Sequence, residues 1–598
     1  MGLQQFTNNA NTTLSAAIAS SVATSCSVVS SSGFPALAAG NWFIATIATV
    51  VGGVVTASEI VKVTAVSGTT WTIARGQEGS TAQPWAAGSL VALLPTAGGL
   101  GNFLQQTPQT AAEVAASVTP TNTNYPELNV LRYGADPTAT TDSTAAINQA
   151  IAVAVQKAKW SAHSSLTFNA RVYIPTGWYL VGSTGTYVSY GAEPVIIAGD
   201  GPQASVIING STNQPAIACN GGSGGQFYGG FKDIGFGQQS GVTAVAGNCA
   251  LALTHYNEFF IDNVTVYNYP NPPYNGIVLT YCQQFVVSNV ESQGALNYGI
   301  SITESGAGQG CSYGAFTNCH ADDCAYGWQM GQAHDMAFTN CGAIYSSTSG
   351  WLLQSASPST APNLNCRFVS CASDSSGSHN WNISDAVGCT WASCWGSSQK
   401  GGGSSTGTGF LIQTVNSHSL SFTDCVAANN NGDGFKVLDT GSSAPTFLYF
   451  TNCHSGYQGL GNGQGGTGFG YNISATCHSI RITSGEVQGN VSPGGINFNG
   501  ANTGTQDIIY RDVYGYQNSD QGVESVSGAS SVTVTHLANL NPVSADCFTI
   551  TPNSSMAASG ISCYWISSVG IASFTLSFNT TINSTPFVFS WRADSNNT

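Results

Sequence analysis

The chain has 598 residues, a net charge of −15 and 7% charged residues, with its thirteen Lys and Arg scattered singly. Nucleic-acid binding needs a clustered basic patch and is excluded; low charge with 42% hydrophobic residues is also unlike a disordered chain. The most apolar run, 42–56, is interrupted by Gly52-Gly53 and too short to span a bilayer, and no signal-peptide pattern opens the sequence, so neither membrane insertion nor that export route is expected.

Residues 1–100 alternate like β-strands. Glu59 to Val66 and Trp71 to Ala74 flank Ser-Gly-Thr-Thr and predict a hairpin in a separate small β domain. The segment Arg75-Gly-Gln-Glu-Gly-Ser-Thr-Ala-Gln-Pro-Trp85 follows. It resembles a phrase near the N-termini of phage tail fibres and tailspikes, and the resemblance implies that this end docks on a phage tail or baseplate protein. Residues 101–127, rich in Gln, Thr and Ala, read as a neck with a short helical patch from Thr110 to Ser117.

The next domain is expected over 128–540. It opens with Tyr133-Gly-Ala-Asp-Pro137 and Asp142-Ser-Thr-Ala-Ala-Ile147, then a helix to about Ala158 with Ser143 as N-cap and Ile147, Ile151 and Val155 on one face. The strand Tyr173-Ile-Pro-Thr-Gly-Trp-Tyr179 follows. A helix here would cover the open end of a solenoid core.

One phrase then recurs: Phe316-Thr-Asn-Cys319, Phe338-Thr-Asn-Cys341, Phe368-Val-Ser-Cys371, Trp391-Ala-Ser-Cys394, Phe422-Thr-Asp-Cys425 and Phe450-Thr-Asn-Cys453. Between copies lies a second phrase, Gly before a bulky apolar residue, as in Gly327-Trp328, Gly350-Trp351, Gly409-Phe410, Gly434-Phe435 and Gly468-Phe469, with Asn380-Trp381 as a variant. The Cys spacings of 22, 30, 23, 31 and 28 predict the coils of a right-handed parallel β-helix with two short strands per coil. Degraded copies at Phe231, Ile261, Val287, Ile482, Tyr510 and Val534 bring the count to about twelve coils, a rod of roughly 55 Å. Stacked coils place the Cys and Trp/Phe columns inward, the Cys as reduced, buried thiols. After 541 the period stops, and 541–598 reads as a C-terminal β module resembling a small sandwich.

The opening segment and the coils together resemble pectate-lyase-like β-helices, in particular phage tailspikes that degrade bacterial surface polysaccharides. The resemblance implies an all-β homotrimer on a virion, made in the host cytoplasm, whose partner is a capsule, exopolysaccharide or O-antigen and whose C-terminal module serves trimerisation, folding or glycan contact.

Glycoside hydrolysis needs two carboxyl groups flanking the bond. Most acidic residues of the coils are isolated, but His320-Ala-Asp322-Asp323 follows a Cys and Glu291 follows Val290 one coil earlier. The expected catalytic set is therefore Glu291, Asp322 and Asp323, with Asp374 as a competitor two coils beyond Asp322, and His320 assisting. The alternative is that Asp322 and Asp323 only form a turn. Trp395, beside Cys394, is expected to face outward as a sugar-stacking residue. No zinc or calcium motif is present, and no cofactor or metal is expected. A lyase would need clustered cations, whereas Lys232, Arg367, Lys400, Lys436, Arg481 and Arg511 are spread out. A hydrolase is favoured, and a lyase, a glycan-binding adhesin and a purely structural fibre stay open.

Overall fold

The computed structural model describes residues 4–98, 109–158, 170–191, 194–222, 228–306, 309–355, 362–399, 406–413, 417–439, 446–459, 468–474, 476–490, 495–497, 508–511, 513, 519–535, 548–570 and 573–594. Among them no helix is long and apolar enough to cross a membrane. Lys400 and residues 101–108 of the expected neck fall outside the described residues.

The chain forms two compact units. The first holds Met1–Thr110 and Asn122–Glu127. Its six-stranded sheet contains the expected hairpin, Val54–Ser67 against Thr70–Ala74, and a bridge between Leu14 and Val28 ties its two edges together. The Arg75–Trp85 phrase is a loop wrapped around one buried carboxylate. Glu59 Oε2 accepts from the Arg75 guanidinium at 2.6 Å and from the Trp85 indole N–H at 2.7 Å, while Gly76 N donates to Oε1. Gly76 and Gly79 hold positive φ in this loop, which explains the glycines.

The second unit begins with a buried pair. Arg132 donates twice to Glu113 of the helix Ala111–Ala115, and the Tyr133 hydroxyl donates to the same carboxylate, so Tyr133 in the opening segment is a structural residue. The helix Thr144–Ala158 packs Ile147, Ala150, Ile151 and Ala154 into the core of the first coil. Its capping acceptor is Asp142, which takes the Thr144 N–H; the expected cap Ser143 turns its Oγ to the Asp136 N–H instead.

The body is a parallel β-helix, whose right-handed sense is that of nearly all parallel crossovers. One wall is a 12-stranded parallel sheet, and a 26-stranded sheet turns the corners to form the other walls. Among the described residues the column of the recurring phrase has thirteen stacked positions rather than the twelve expected, because two early coils are added and one is lost at the other end. Val172 and Ile197 stack under Phe231 in two early coils that lack the phrase. At the other end Val534 pairs antiparallel with Phe574, so it belongs to no coil. Ser519–Val526 and Ser531–Thr535 join two three-stranded antiparallel sheets with a common apolar core, so the C-terminal module takes in strands before 541. An alternating run such as Val532-Thr-Val534 signals a strand but not its partner.

The recurring phrase is not one strand. Asn318, Asn340, Ser370, Ser393, Asp424 and Asn452 all have φ between 52° and 55°, which bends the chain between two strands. Asn, Asp and Ser tolerate this left-handed corner, and a ladder joins some of the corners: Asn318 Nδ2 donates to Asn289 Oδ1 at 2.9 Å, and Asn340 Nδ2 to Asn318 Oδ1 at 3.2 Å. Each central coil thus has more than the two strands expected.

The Cys and aromatic columns point inward. Cys319 to Cys453 are buried free thiols. Phe316, Phe338 and Phe368 stack nearly parallel, as do Trp328, Trp351 and Trp381, and the two stacks meet edge to face, for example Phe338 against Trp351 at 5.7 Å and 89°. The second column continues through Tyr471, which is in register with Phe435; Phe469 is not the stacking residue. Glycine precedes the aromatic because a Cβ at Gly350 would lie 1.9 Å from Ser373 Oγ.

Candidate active-site groove

Two residues after these left-handed corners the chain points away from the core again, and parallel register aligns these positions, with Trp178 and Val206 of the earlier coils, into an outward column. It runs Trp178, Val206, Gly235, Thr265, Glu291, His320, Gly342, Ala372, Trp395, Val426, His454 and Glu486. Two residues on lies a second column that includes Gln293, Asp322, Ile344, Asp374 and Ser397. The inner tryptophans pin the first column from beneath: the indole N–H groups of Trp328, Trp351 and Trp381 donate to the carbonyls of Gly342, Ala372 and Trp395 at 2.9, 3.0 and 2.9 Å.

Glu291 and Asp322 are diagonal neighbours, one coil apart and two residues along. Glu291 Oε1 accepts from Gln293 Nε2 at 2.7 Å. Asp322 is half-buried, and its Oδ1 is buried with no hydrogen-bond partner. Burial pushes the Asp322 carboxyl above the ordinary carboxylate range, and the Glu291 charge pushes it further, against a smaller pull from His320. The group is thereby biased toward its protonated form beside an open partner carboxylate.

A cavity of about 340 Å³ opens over Glu291, lined also by Asp200, Gln203, Thr265, Tyr267 and Gln293. Asp200 is held by the Tyr173 hydroxyl and by Thr176 N and Oγ1 at 2.8 to 3.0 Å. Burial raises its pKa, but these bonds outweigh burial and keep it below the usual range. The Tyr267 phenol is raised by burial and by the Glu291 charge, against a hydrogen bond to Thr265.

The remaining expected residues separate. Asp323 is exposed at a left-handed corner, φ 55°, and donates its N–H to the Ile344 carbonyl, the geometry of a turn residue. Asp374 is in register two coils beyond Asp322 with Ile344 between, and accepts from Ser375 Oγ at 3.1 Å. His320 stacks next to Glu291, its Nδ1 over Gly342. Trp395 is 43% exposed on the same column, four coils or about 19 Å from Glu291. Asp200, Tyr267 and Gln293 escaped the sequence reading because the coil of Asp200 lacks the phrase and Tyr267 and Gln293 lie beyond it.

Over residues 128–363 the chain matches the family model for rhamnogalacturonase A/epimerase, pectate lyase-like. The resemblance to pectate-lyase-like β-helices holds over that stretch, which is less than half of the chain. No curated protein matches the chain significantly. Among solved structures, the mannuronan C-5 epimerase A-module of Azotobacter vinelandii is similar at 14% identity and a TM-score of 0.42, covering 65% of this chain and 96% of its own. The Dettilon tailspike protein is similar at 10% identity and 0.43, with 78% and 94% covered. Tailspike protein 3 of bacteriophage CBA120 is similar at 12% and 0.45, with 80% and 76% covered.

Proposed function

We propose that this chain is a phage tailspike that depolymerises a bacterial surface polysaccharide by glycoside hydrolysis in the groove over Glu291. Asp322 donates a proton to the leaving oxygen, and Glu291 acts as the partner carboxylate, by activating water or by attacking the sugar. The observation that carries this reading is the buried, unpartnered Oδ1 of Asp322 one coil from Glu291, which sits in an open cavity. A proton donor needs a raised pKa and its partner a solvent-open site, and the two environments differ in that sense.

Neither outward column carries Lys or Arg, the groups a lyase uses to neutralise a uronate carboxylate, and this favours hydrolysis. The virion setting, homotrimeric assembly and N-terminal docking rest on the resemblance of Arg75–Trp85 and of the segment from Tyr133 to Tyr179. The test is to incubate the purified protein with capsule and O-antigen from a panel of bacteria and follow chain length and ultraviolet absorbance of unsaturated products. Shortened chains without that absorbance are expected. Shortening with it would mean a lyase, and intact glycan co-eluting with the protein an adhesin.

A further inference from the structure

Beside the Glu291 cavity lies a second pocket of about 260 Å³, lined by Trp178, Gln203, Val206, Ile208, Tyr267 and Tyr269. Gln203 and Tyr267 line both, so the two adjoin. Val206 and Ile208 point outward from their strand yet are only 4% exposed, forming an apolar floor with Leu180. Trp178 is 42% and Tyr269 69% exposed, which makes them walls rather than core.

The pocket depends on two glycines in the next coil. A Cβ at Gly235 would meet the Pro202 carbonyl at 2.1 Å and Tyr267 at 3.0 Å, and one at Gly237 would meet Ile208 Cδ1 at 3.1 Å. Side chains at these register positions would fill the floor or displace its wall.

We infer that this pocket is the subsite for a sugar next to the cleaved linkage that carries a methyl-bearing substituent, either a 6-deoxyhexose or an acetylated residue. The inference rests on the glycan-processing reading of the Glu291 groove. The only hydrogen-bonding side-chain groups of the lining are the Gln203 amide, two phenol hydroxyls and the Trp178 indole N–H, set around the apolar floor. A fully hydroxylated hexose would leave water-bonded hydroxyls unpaired there, whereas a methyl group would gain by burial on Val206 and Ile208 and a sugar C–H face by stacking on Trp178. The volume, just below the range for drug-sized ligands, suits one residue of a longer chain that continues over Glu291.

The test is saturation-transfer NMR on the full-length protein with L-rhamnose, N-acetyl-D-glucosamine and D-glucose as probes, repeated on Glu291→Gln, Trp178→Ala and Tyr269→Ala. The methyl protons of one of the first two sugars should be saturated in wild type and Glu291→Gln, with glucose silent. Each aromatic truncation should weaken binding roughly tenfold, the loss of one apolar contact. Because both aromatics are partly exposed, their removal leaves the fold intact, as the unfolding midpoint will verify. Glucose binding as well as the methyl sugars, silence from both methyl sugars, or undiminished signals in both truncations would overturn the inference. Methyl-sugar binding in a protein that cleaves no glycan would keep the pocket and remove the hydrolase; cleavage without methyl-sugar binding would do the reverse.

Discussion

Asp322 stands diagonally one coil above Glu291, and their side chains are coupled: the Glu291 charge adds to burial in raising the Asp322 pKa. An acid must carry its proton to donate it, so cleavage should fall as pH rises through the raised pKa of Asp322. Asp322→Asn should lower kcat about 10²- to 10⁴-fold, the usual contribution of a general acid, and remove that limb of the pH profile. Glu291→Gln should also abolish turnover. A pH series of kcat on wild type and Asp322→Asn, with Glu291→Gln as the inactive control, decides it; a wild-type alkaline limb retained in Asp322→Asn would assign the proton to another group.

His320 rests over Gly342, where a Cβ would lie 2.7 Å from Nδ1. The Trp328 indole bonded to the Gly342 carbonyl keeps that backbone from giving way. Gly342→Ala should therefore push the imidazole toward the groove while the coils stay folded. A misplacement of this size in a catalytic region costs about tenfold to a hundredfold in kcat/KM. Steady-state kinetics with an unchanged unfolding midpoint would bear this out, and unaltered kinetics would make His320 a bystander.

The left-handed corner at Asn318 offers a test of the repeat itself. Asn318→Ala removes the Asn318 donor to Asn289 and the Asn318 acceptor for Asn340, and puts an alanine at φ 55°. The combined cost should be about 2 kcal/mol, while Asn318→Gly should cost less because glycine accepts that φ. Denaturant unfolding of the three proteins should give midpoints in the order wild type, Asn318→Gly, Asn318→Ala.

That corner also shows why the sequence carried so much of the fold. Phe316, Asn318 and Cys319 each answer a constraint repeated in every central coil: a stacking ring, a positive φ and a small inward side chain. Periodicity therefore exposed all three at once. The early coils through Val172 and Ile197 satisfy the same register with aliphatic residues alone, which leave no recognisable phrase. Glu291 and Asp322 could be aligned because each sits at a fixed offset from the corner. Asp200 and Tyr267 reach the same cavity from a loop and from a strand's end, positions that depend on how coils stack rather than on local pattern.

Asp385 supplies a pH test independent of catalysis. It is fully buried; Oδ2 accepts from the Ser355 N–H at 3.3 Å, and Oδ1 has no partner. Burial pushes its pKa up to about 7, the Ser355 bonds pull it back, and the Glu304 charge adds to the rise. In the unfolded chain an aspartate titrates near 3.9. Between about pH 4 and pH 7 the folded protein thus holds a proton that the unfolded chain has released, so stability falls as pH rises across that window and levels above it. The loss should be on the order of a few kcal/mol. Asp385→Asn cannot ionise and should hold its stability across the same window, ending more stable than wild type at pH 8. Denaturant midpoints of both proteins from pH 4 to pH 8 give the comparison; parallel curves would mean that the wild-type carboxyl is already neutralised by another contact.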